Sequence, residues 1–502
     1  MLHVKKYIVV CVLLLAAAGC AVGPDFKQPN AKMPAVWSGL DSFGQQQAST
    51  AVAGPTSLAA WWSIFNDPIL SGLVEKALAA NHDLKIAEAR VRQARAERTI
   101  AAAGLWPSLD ASGSYRRTGS RTSASSAGAS SQQTGVTGTA TGTTPSTGTQ
   151  DTATGKSVAV RQDLYQVGLD ASWELDIFGG TRRSVEAANA SIQAAEEDRR
   201  DVMVTLIGEV GTTYLNLRGF QQQIAIAKKN LAAQEHTAEI TRKRHEAGLA
   251  NGLDMANAQG QAASTRSQIP LLEAGARQAI YSLGVLLGSE PASLDAELSP
   301  VAPIPVPPAE IPVGLPSDLL RRRPDVRRAE AQLHAATANI GVATADLFPK
   351  FSLTGASGLK GDEWHTLGNR NNRTWSVGPS VTWPVFAAGR ILANVKVQNA
   401  LQEQAVATYE KTVLTSLKDV ESALVAFAKE QQRYAALTDA VENGRNAVDI
   451  ATRLYTVGLS DFLNVLIAQR TLFAYEDAWV QSTSSLTTDL IALYKALGGG
   501  WE

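Results

Sequence analysis

KRHEAGLANGLDMANAQ (Lys243–Gln259) and RLYTVGLSDFLNVLIAQ (Arg453–Gln469) are two copies of one stretch. They align without a gap at a spacing of 210 residues (453 − 243), and both place a Gly-Leu pair, at Gly248 and at Gly458, between long patterns of helical spacing. Because glycine adopts the left-handed conformation that ends a helix, each pair predicts a turn between two antiparallel helices. The sequence therefore predicts two helical hairpins.

The similarity between the two parts of the chain extends beyond these turns. The Ala-rich helical pattern of Asn81–Leu105 returns in Pro324–Leu347, and an aromatic-proline pair follows each of them. Similarity over so many elements indicates an internal duplication. We therefore expect a first structural repeat at 60–298, a Pro-rich connector at 299–316 and a second repeat at 317–502.

In each repeat the apolar spacing changes from helical to alternating after the short helix. From Trp375 to Val385, apolar side chains alternate with Ser, Gly and Thr, which is typical of a strand with one apolar and one polar face. A soluble sheet has the same pattern, but strand lengths near the roughly 10 residues that cross an outer membrane favour a membrane barrel. The predicted strands lie at about 107–118, 161–178, 349–358 and 374–386.

Four strands are too few to close a membrane barrel by themselves. Single-chain bacterial barrels begin at about 8 strands, and open strand edges cannot face lipid because their backbone groups would be unpaired. If these strands span a membrane, the chain must form an oligomer. Three copies in a ring would supply twelve strands.

Each pair of strands leads into a very long helical pattern. Thr181–Glu246 contains no proline, and none occurs after Pro384. Apolar residues at alternating spacings of three and four predict coiled-coil packing, and about 66 residues of helix make a rod of about 100 Å. The hairpin tips are expected at about 246–252 and 456–462. The shorter helices 81–105 and 252–287 together nearly match the long helix of their repeat, and we expect them to pack along it.

The first twenty residues have the features of an export signal. Two lysines precede a short apolar run, Tyr7–Ala18, that is too short to span a bilayer, and small residues lead to Cys20. Ala17-Ala18-Gly19-Cys20 resembles a bacterial lipobox, although Ala17 stands where leucine is usual. The expectation is a lipoprotein signal peptide at 1–19, a lipid on Cys20 and an extended strap at 20–59. The alternative is that Cys20 is an unpaired thiol.

Composition and motifs argue against several functional classes. The net charge is −1 and basic residues are interspersed with acidic ones, so nucleic-acid binding is not expected. No nucleotide-binding, metal-ligand or catalytic motif occurs, so we expect neither an enzyme nor a metal site, and no cofactor besides the lipid. A tract at about 119–155, composed mostly of Ser, Thr, Gly and Ala, predicts a mobile loop.

Three motifs, together with the repeated order of elements, resemble one family. They are GCAVGPDF (Gly19–Phe26), VGLSDFLNVL (Val457–Leu466) and LYKALGGGW (Leu493–Trp501). The chain resembles the TolC-like outer-membrane efflux channels, in the lipoprotein branch that serves resistance-nodulation-division pumps. The resemblance implies a membrane β-barrel joined to an α-helical barrel in a homotrimer, each protomer giving four antiparallel strands and long coiled-coil hairpins in two tandem repeats.

The resemblance also implies a function and a location. The chain would be the outer-membrane channel of a tripartite efflux system, a passive exit duct for drugs or other small toxic compounds. It would be anchored in the outer membrane, extend into the periplasm, and work with a periplasmic adaptor and an inner-membrane pump. Two alternatives remain: an exit duct for type I protein secretion, which has the same architecture, and a lipid-tethered periplasmic coiled-coil scaffold without a pore.

The hairpin tips are the predicted functional sites. The residues expected to contact the adaptor form the two turns: Gly248, Leu249, Val457, Gly458 and Leu459. For the gate we predict a ring of three Asp461 carboxylates around the channel axis, with Asp254 and Asn464 nearby and with Arg453 and Tyr455 holding the inner helices shut. Such a ring would repel itself and attract cations. The alternative for Asp461 is an exposed helix cap. The second hairpin is expected to carry more of the gate.

Overall fold

The computed structural model describes residues 21–30, 33–43, 50–52, 58–122, 158–305, 307, 310–314 and 316–501. The α-helices in this part are α1 (Pro68–Ala80), α2 (His82–Ala103), α3 (Gly180–Glu246), α4 (Gly252–Leu286), α5 (Asp295–Leu298), α6 (Leu319–Arg322), α7 (Pro324–Ala345), α8 (Arg390–Thr456) and α9 (Phe462–Ala496). The strands are β1 (Thr50–Val52), β2 (Ser108–Thr122), β3 (Val158–Leu175), β4 (Glu310–Pro312), β5 (Lys350–Gly361) and β6 (Arg373–Thr382). Short 3₁₀ helices lie at Ser38–Ser42, Trp61–Phe65, Pro291–Leu294, Pro316–Asp318, Trp364–Thr366 and Arg370–Asn372.

The chain divides into two compact units. The described part of the first unit comes from 102–178 and 346–387, and the second unit comes from 21–101, 179–345 and 388–502. Each structural repeat therefore contributes one pair of strands to the first unit and its long helices to the second.

The first unit is built on a four-stranded antiparallel sheet with the order β2-β3-β5-β6. Its register pairs Tyr115 with Tyr165, Trp173 with Leu353 and Gly355 with Val377. Because side chains alternate between the faces, this register gathers the predicted apolar positions on one face. Four antiparallel strands, two from each repeat, confirm this part of the predicted fold class.

The strand ends differ from the predicted ones. β3 ends at Leu175 and β6 ends at Thr382, before the predicted ends at 178 and 386. In β6 the reason is Pro384, which has no N–H for a ladder bond. At the other end, β2 continues through Thr122, so the start of the predicted 119–155 loop is strand. Residues 123–157 lie outside the described part.

The long helices of the second unit reach the predicted length. α3 and α8 have 67 residues each, or about 100 Å of helix, and α4 and α9 have 35 each. α3 packs against α4 and α8 packs against α9, which forms the two predicted hairpins. Among the described helices, none is long and apolar enough to cross a membrane.

The pairing of the short helices differs from the predicted one in one respect. α4 packs closely along α3 as predicted and α2 lies beside α3 at a greater distance, whereas α7 of the second repeat also packs closely along α3. α2 reaches α3 through long side chains, as in the ion pairs of Arg90 with Asp198 and Arg95 with Glu196. The small residues of α7, including Gly341, allow its close packing on α3.

The core of the second unit lies between α1, α3, α4 and α9. Asp67 accepts hydrogen bonds from two backbone N–H groups of α1 and Pro68 is the first helical residue, as the sequence predicts. Fully buried residues include Leu70, Leu217 and Leu283. Each such leucine stabilises the fold by about 2 kcal/mol through burial.

The strap and the connector have more regular structure than expected. β1 in the strap pairs with β4 in the connector as a two-stranded parallel sheet, where no regular structure was predicted. Ile311 of β4 is fully buried, and the indole of buried Trp37 donates to the carbonyl of Gly314. These contacts are between segments distant in sequence, so no local pattern indicates them.

Candidate functional site at the hairpin tips

Both hairpin tips are built by the same helix-ending motif. After α3, Gly248 takes the left-handed conformation (φ 73°), and the N–H of Leu249 donates to the carbonyl of Arg244 at 2.8 Å. The second turn repeats this geometry, with Gly458 at φ 80° and an equivalent bond of 2.8 Å. This six-to-one bond satisfies a carbonyl that the helix end leaves free, and the conformation requires glycine. The turns therefore lie where the Gly-Leu pairs predict them.

The turns expose apolar side chains. Leu249 is 68% exposed, Val457 69% and Leu459 76%. Leu253 and Leu463, at the start of the two return helices, are exposed as well. An apolar patch in solvent is typical of a protein-binding surface. All residues predicted to contact an adaptor are therefore accessible in this chain.

Arg244 connects the first hairpin to the second. Its Nη1 donates to the carbonyls of Tyr455 at 2.9 Å and Thr456 at 3.1 Å, and its guanidinium lies 4.8 Å from the centre of the Tyr455 ring. The Tyr455 hydroxyl in turn donates to the buried hydroxyl of Thr241 on α3 at 3.3 Å. A cation at the carbonyl end of a helix is favoured by the helix dipole. We name this set of contacts the Arg244 latch.

A small apolar cluster lies beside the Arg244 latch. Tyr455 and Phe462 pack edge to face with their ring centres 5.6 Å apart, and Val465 and Leu466 complete the buried surface with Ala258 of α4. Phe462 and Val465 are almost fully buried. The second tip is therefore fixed by apolar packing as well as by Arg244.

Arg244 was not among the predicted site residues. It lies in a basic run, Lys243-Arg244-His245, in the last turn of α3, where such residues usually interact with their own helix end. Here Arg244 instead binds the end of α8. The sequence shows the basic run but not which helix end lies next to it.

The two acidic residues of the predicted gate have different surroundings. Asp461 is the N-cap residue of α9 and is exposed, but its carboxylate accepts no capping hydrogen bond. In the first tip, the side chain of Asn251 caps α4 by accepting a hydrogen bond from the N–H of Asp254. Asp254 itself is half-buried. Asn464 is exposed and its side-chain amide donates to Ser460 at 2.9 Å. Asp461 thus has the position of a cap without its side-chain bond.

Arg453 and Tyr455 do not act together in this chain. Arg453 is exposed and pairs with Asp449 one turn earlier on α8, with 2.7 Å between Nη2 and Oδ2. Tyr455 is buried against α3 and α9. Tyr455 belongs to the Arg244 latch and Arg453 does not, and the prediction that these two residues hold the inner helices shut stays a prediction for both.

A separate ionic cluster precedes the first tip on α3. Arg242 pairs with Glu239 at 2.7 Å and with Glu246 at 2.6 Å. The hydrogen bond from Arg242, with Lys243 nearby, lowers the pKa of Glu239 to about 2. Arg242 is therefore a partly exposed arginine that pairs within its own helix, whereas the next arginine, Arg244, binds the other hairpin.

Two further expectations concern lipid and metal. Cys20 lies outside the described residues. Within the described ranges, no group of three or more His, Cys, Asp or Glu side chains could hold a metal ion.

Comparison with protein-family models gives one match over most of the chain. Residues 73–289 and 315–499 match the family described as outer membrane efflux protein. The two matched segments contain α3 with α4 and α8 with α9, that is, both hairpins and their tips.

Curated relatives match over nearly the full length. The chain is 34% identical over 491 residues to the pyoverdine export outer membrane protein OpmQ of Pseudomonas aeruginosa, covering 98% of this chain and 95% of the relative. It is 33% identical over 489 residues to the toluene efflux pump outer membrane protein TtgI of Pseudomonas putida, covering 97% of each.

Solved structures share the fold. The outer-membrane channel OprN matches with a TM-score of 0.82 and 35% identity, over 96% of this chain and 100% of that one. The open state of the Neisseria gonorrhoeae MtrE outer membrane channel matches with a TM-score of 0.74 and 27% identity, over 96% and 99%. These matches confirm the predicted resemblance, the location in the outer membrane and the role in efflux. The chain belongs to the outer membrane efflux protein family.

Proposed function

We propose that the chain is the exit channel of a tripartite efflux system, a passive homotrimeric duct for drugs or other small toxic compounds. The observation that carries this proposal is the four-stranded sheet. It has an exposed apolar face and, among the described residues, unpaired outer edges on β2 and β6. Such a sheet needs lipid against its face and further strands against its edges.

The exposed face supports a lipid-facing role. Trp375 is 79% exposed and Leu109 67%, and Val377 and Leu169 lie exposed on the same face. The opposite face carries Ser, Gly and carboxylate side chains, which suit a water-filled lumen. Three copies of the sheet in a ring give a barrel of twelve strands with no open edge.

The helices also offer surfaces for further copies. α8 has exposed apolar side chains along its first half, among them Leu392, Leu401 and Leu414, and α2 exposes Ile86 and Ile100. Apolar side chains at helical spacing pack in coiled-coil seams. In the proposed trimer these faces of α2 and α8 lie against neighbouring protomers and close a periplasmic tunnel of helices.

The relatives suggest the class of compound. The names of the matched proteins refer to toluene, solvent, antibiotic and pyoverdine export. These compounds are small organic molecules, and we propose cargo of this kind for the present chain. The proposed duct has no catalytic role, and selection of the cargo lies with an inner-membrane pump of the resistance-nodulation-division class.

The tips are the proposed points of control. A periplasmic adaptor binds the exposed apolar turns at Leu249, Val457 and Leu459 and draws the tips apart. In the closed state three Asp461 carboxylates approach the axis, while the Arg244 latch holds the second tip against the first hairpin. A lipid on Cys20 anchors the chain to the outer membrane, and one acyl chain by itself would anchor only weakly.

Planar bilayer recording of the purified protein tests the proposal. The proposal predicts a detergent-requiring trimer that produces discrete conductance steps. A lipid-tethered coiled-coil scaffold would instead remain in aqueous solution after removal of the lipid and would give no conductance. Cross-linking before denaturing electrophoresis supplies the independent check, since the ring requires bands for two and three protomers and none larger.

A further inference from the structure

Residues 21–26, which directly follow Cys20, lie against both structural repeats. They contact α3 of the first repeat through Arg183 and α7 of the second repeat through His334 and Gly341. Passage of cargo through a channel and opening of its tips make no use of these contacts. They are all within the second compact unit.

Arg183 binds the segment with most of its hydrogen-bonding capacity. Its side chain is only 6% exposed. The guanidinium donates to the carbonyl of Val22 at 3.2 Å, to the carboxylate of Asp25 at 2.6 Å and to Glu186 at 2.8 Å. Without the segment, the guanidinium would keep Glu186 as its partner and lose the acceptors of Val22, Gly23 and Asp25. The segment therefore supplies three of the four acceptors of a side chain that it helps to bury.

The backbone of the segment lies unusually close to the helices. A Cβ on Gly341 of α7 would lie 2.8 Å from the carbonyl oxygen of Val22, and a Cβ on Gly23 would collide with the backbone of Gly341. A Cβ on Gly179, just before α3, would lie 2.7 Å from the Cα of Ala21. Gly23 is also left-handed, at φ 96°. The groove therefore accepts this backbone because Gly341 faces Val22 and Gly23, and Gly179 faces Ala21.

An aromatic contact ends the docked segment. The ring of Phe26 stacks on His334 of α7, with centres 4.4 Å apart and planes 14° apart. His334 also lies 3.1 Å from Glu186, which is the helix partner of Arg183. These contacts form a continuous path from the segment to α3, then to α7, and back to the segment. Its members in order are Asp25, Arg183, Glu186, His334 and Phe26.

We propose that Val22–Phe26 acts as an intramolecular ligand. It occupies a groove that α3 and α7 form together, links the first repeat to the second, and holds the start of the chain in place independently of any lipid on Cys20. The segment is a second, non-covalent anchor, and its binding site is the Arg183 pocket with its glycine floor.

Electron paramagnetic resonance of a single spin label tests this inference. The protein carries Cys20→Ser and is exported behind a signal peptide that does not lead to lipidation, so neither native cysteine remains, and Gln28→Cys supplies the one labelling site just past the segment. Gln28 is exposed, so the label itself breaks no contact. The inference predicts a broad, immobilised spectrum in this lipid-free protein.

Two helix glycines provide matched variants. Gly341→Ala fills the space of Val22 and should shift the label to a mobile spectrum, although alanine is a better helix former than glycine. Gly260→Ala, in α4 with open space around it, should leave the spectrum immobilised. Asp25→Asn lies outside the helices and removes the negative charge that pairs with Arg183, and it should raise the mobile fraction without changing the helical circular dichroism.

Two results would overturn the inference. A mobile label in the parent protein would mean that the lipid, and not the groove, holds the segment. An immobilised label in both Gly341→Ala and Asp25→Asn would mean that other contacts hold it. Neither result depends on channel activity, so this inference and the proposed efflux function are tested independently of each other.

Discussion

The two hairpin tips have the same turn but different anchorage. In the first tip, Gly252 starts the return helix and its neighbourhood is mostly exposed. In the second tip, the residue at the same position of the repeat is Phe462, which is buried beside Tyr455. The turn geometry follows from the glycine that both tips share. The tighter packing of the second tip follows from Phe462, where the first tip has Gly252. Similar sequence therefore fixes the turn and not its surroundings.

The same difference continues along the return helices. Gln259 of α4 and Gln469 of α9 occupy equivalent positions, yet Gln259 is exposed while Gln469 is buried and donates to Thr237 of α3 at 2.9 Å. α9 packs against both hairpins, and α4 packs mainly against its own. The second hairpin is thus fastened to the first along its return helix, whereas α4 leaves one side free.

The largest expected effect concerns Glu476 of α9. It is almost fully buried and accepts hydrogen bonds from Arg445 of α8 and Asn230 of α3. Glu476→Ala removes a buried acceptor from Arg445 and Asn230 and should destabilise the protein by about 2 kcal/mol, because the half-exposed Arg445 can still be solvated. Glu273→Ala, which breaks the exposed pair with Lys228 on the first hairpin, should cost about 0.5 kcal/mol. Chemical unfolding measures both, and equal losses would contradict the difference between the hairpins.

A smaller effect is expected from the two equivalent glutamines. Gln469→Ala removes a buried hydrogen bond and should cost about 1 kcal/mol, whereas Gln259→Ala should change stability by less than about 0.5 kcal/mol. The residue type and the position in the repeat are identical, so only the environment differs. Equal effects of the two substitutions on the unfolding midpoint would contradict the difference between the two return helices.

Asp489 of the second hairpin should make the stability of the protein depend on pH, whereas the first hairpin has no counterpart of this carboxyl group. Burial, with Glu430 nearby, raises its pKa to about 6, and the equivalent position of α4 is Ala279. Because the folded state binds the proton more tightly than the unfolded state, the contribution of Asp489 is fully present below about pH 4 and is lost as the pH rises through about 6. Asp489→Asn should match the parent in melting temperature near pH 4 and exceed it above pH 7. Parallel melting curves across this range would exclude the effect.

The smallest effect on stability is expected at the gate residues. Asp461 and Arg453 are both exposed, so Asp461→Ala and Arg453→Ala should change stability by less than about 0.5 kcal/mol. If they line the closed opening, each should nevertheless raise single-channel conductance and antibiotic leakage. Asp254→Ala serves as the comparison in the first tip, where we expect the weaker response. Unchanged conductance in both second-tip variants would remove them from the gate.

The sequence is sufficient for the features that depend on local chemistry. Glycine conformation predicts both turns, residue alternation predicts the four strands, and the absence of proline predicts helices of about 100 Å. The contacts of Arg244, Glu476 and Arg183 depend on which helices become neighbours, and no spacing along the chain encodes that. The pairing of α7 with α3 shows this clearly, because the duplication suggested a partner from the same repeat.

The central claim is that the chain forms a channel whose second tip is held by the Arg244 latch. The most direct test records single-channel conductance of the unmodified trimer and of Arg244→Ala in the same planar bilayer. Arg242→Ala serves as the control, since this neighbouring arginine pairs only within α3 among the described residues. Arg244→Lys should not restore closure, because an ammonium cannot reproduce the planar contact with Tyr455. The account predicts low conductance for the unmodified protein and Arg242→Ala and a several-fold rise for Arg244→Ala. Equal conductance in all of them would contradict the latch, and no conductance in any would contradict the channel.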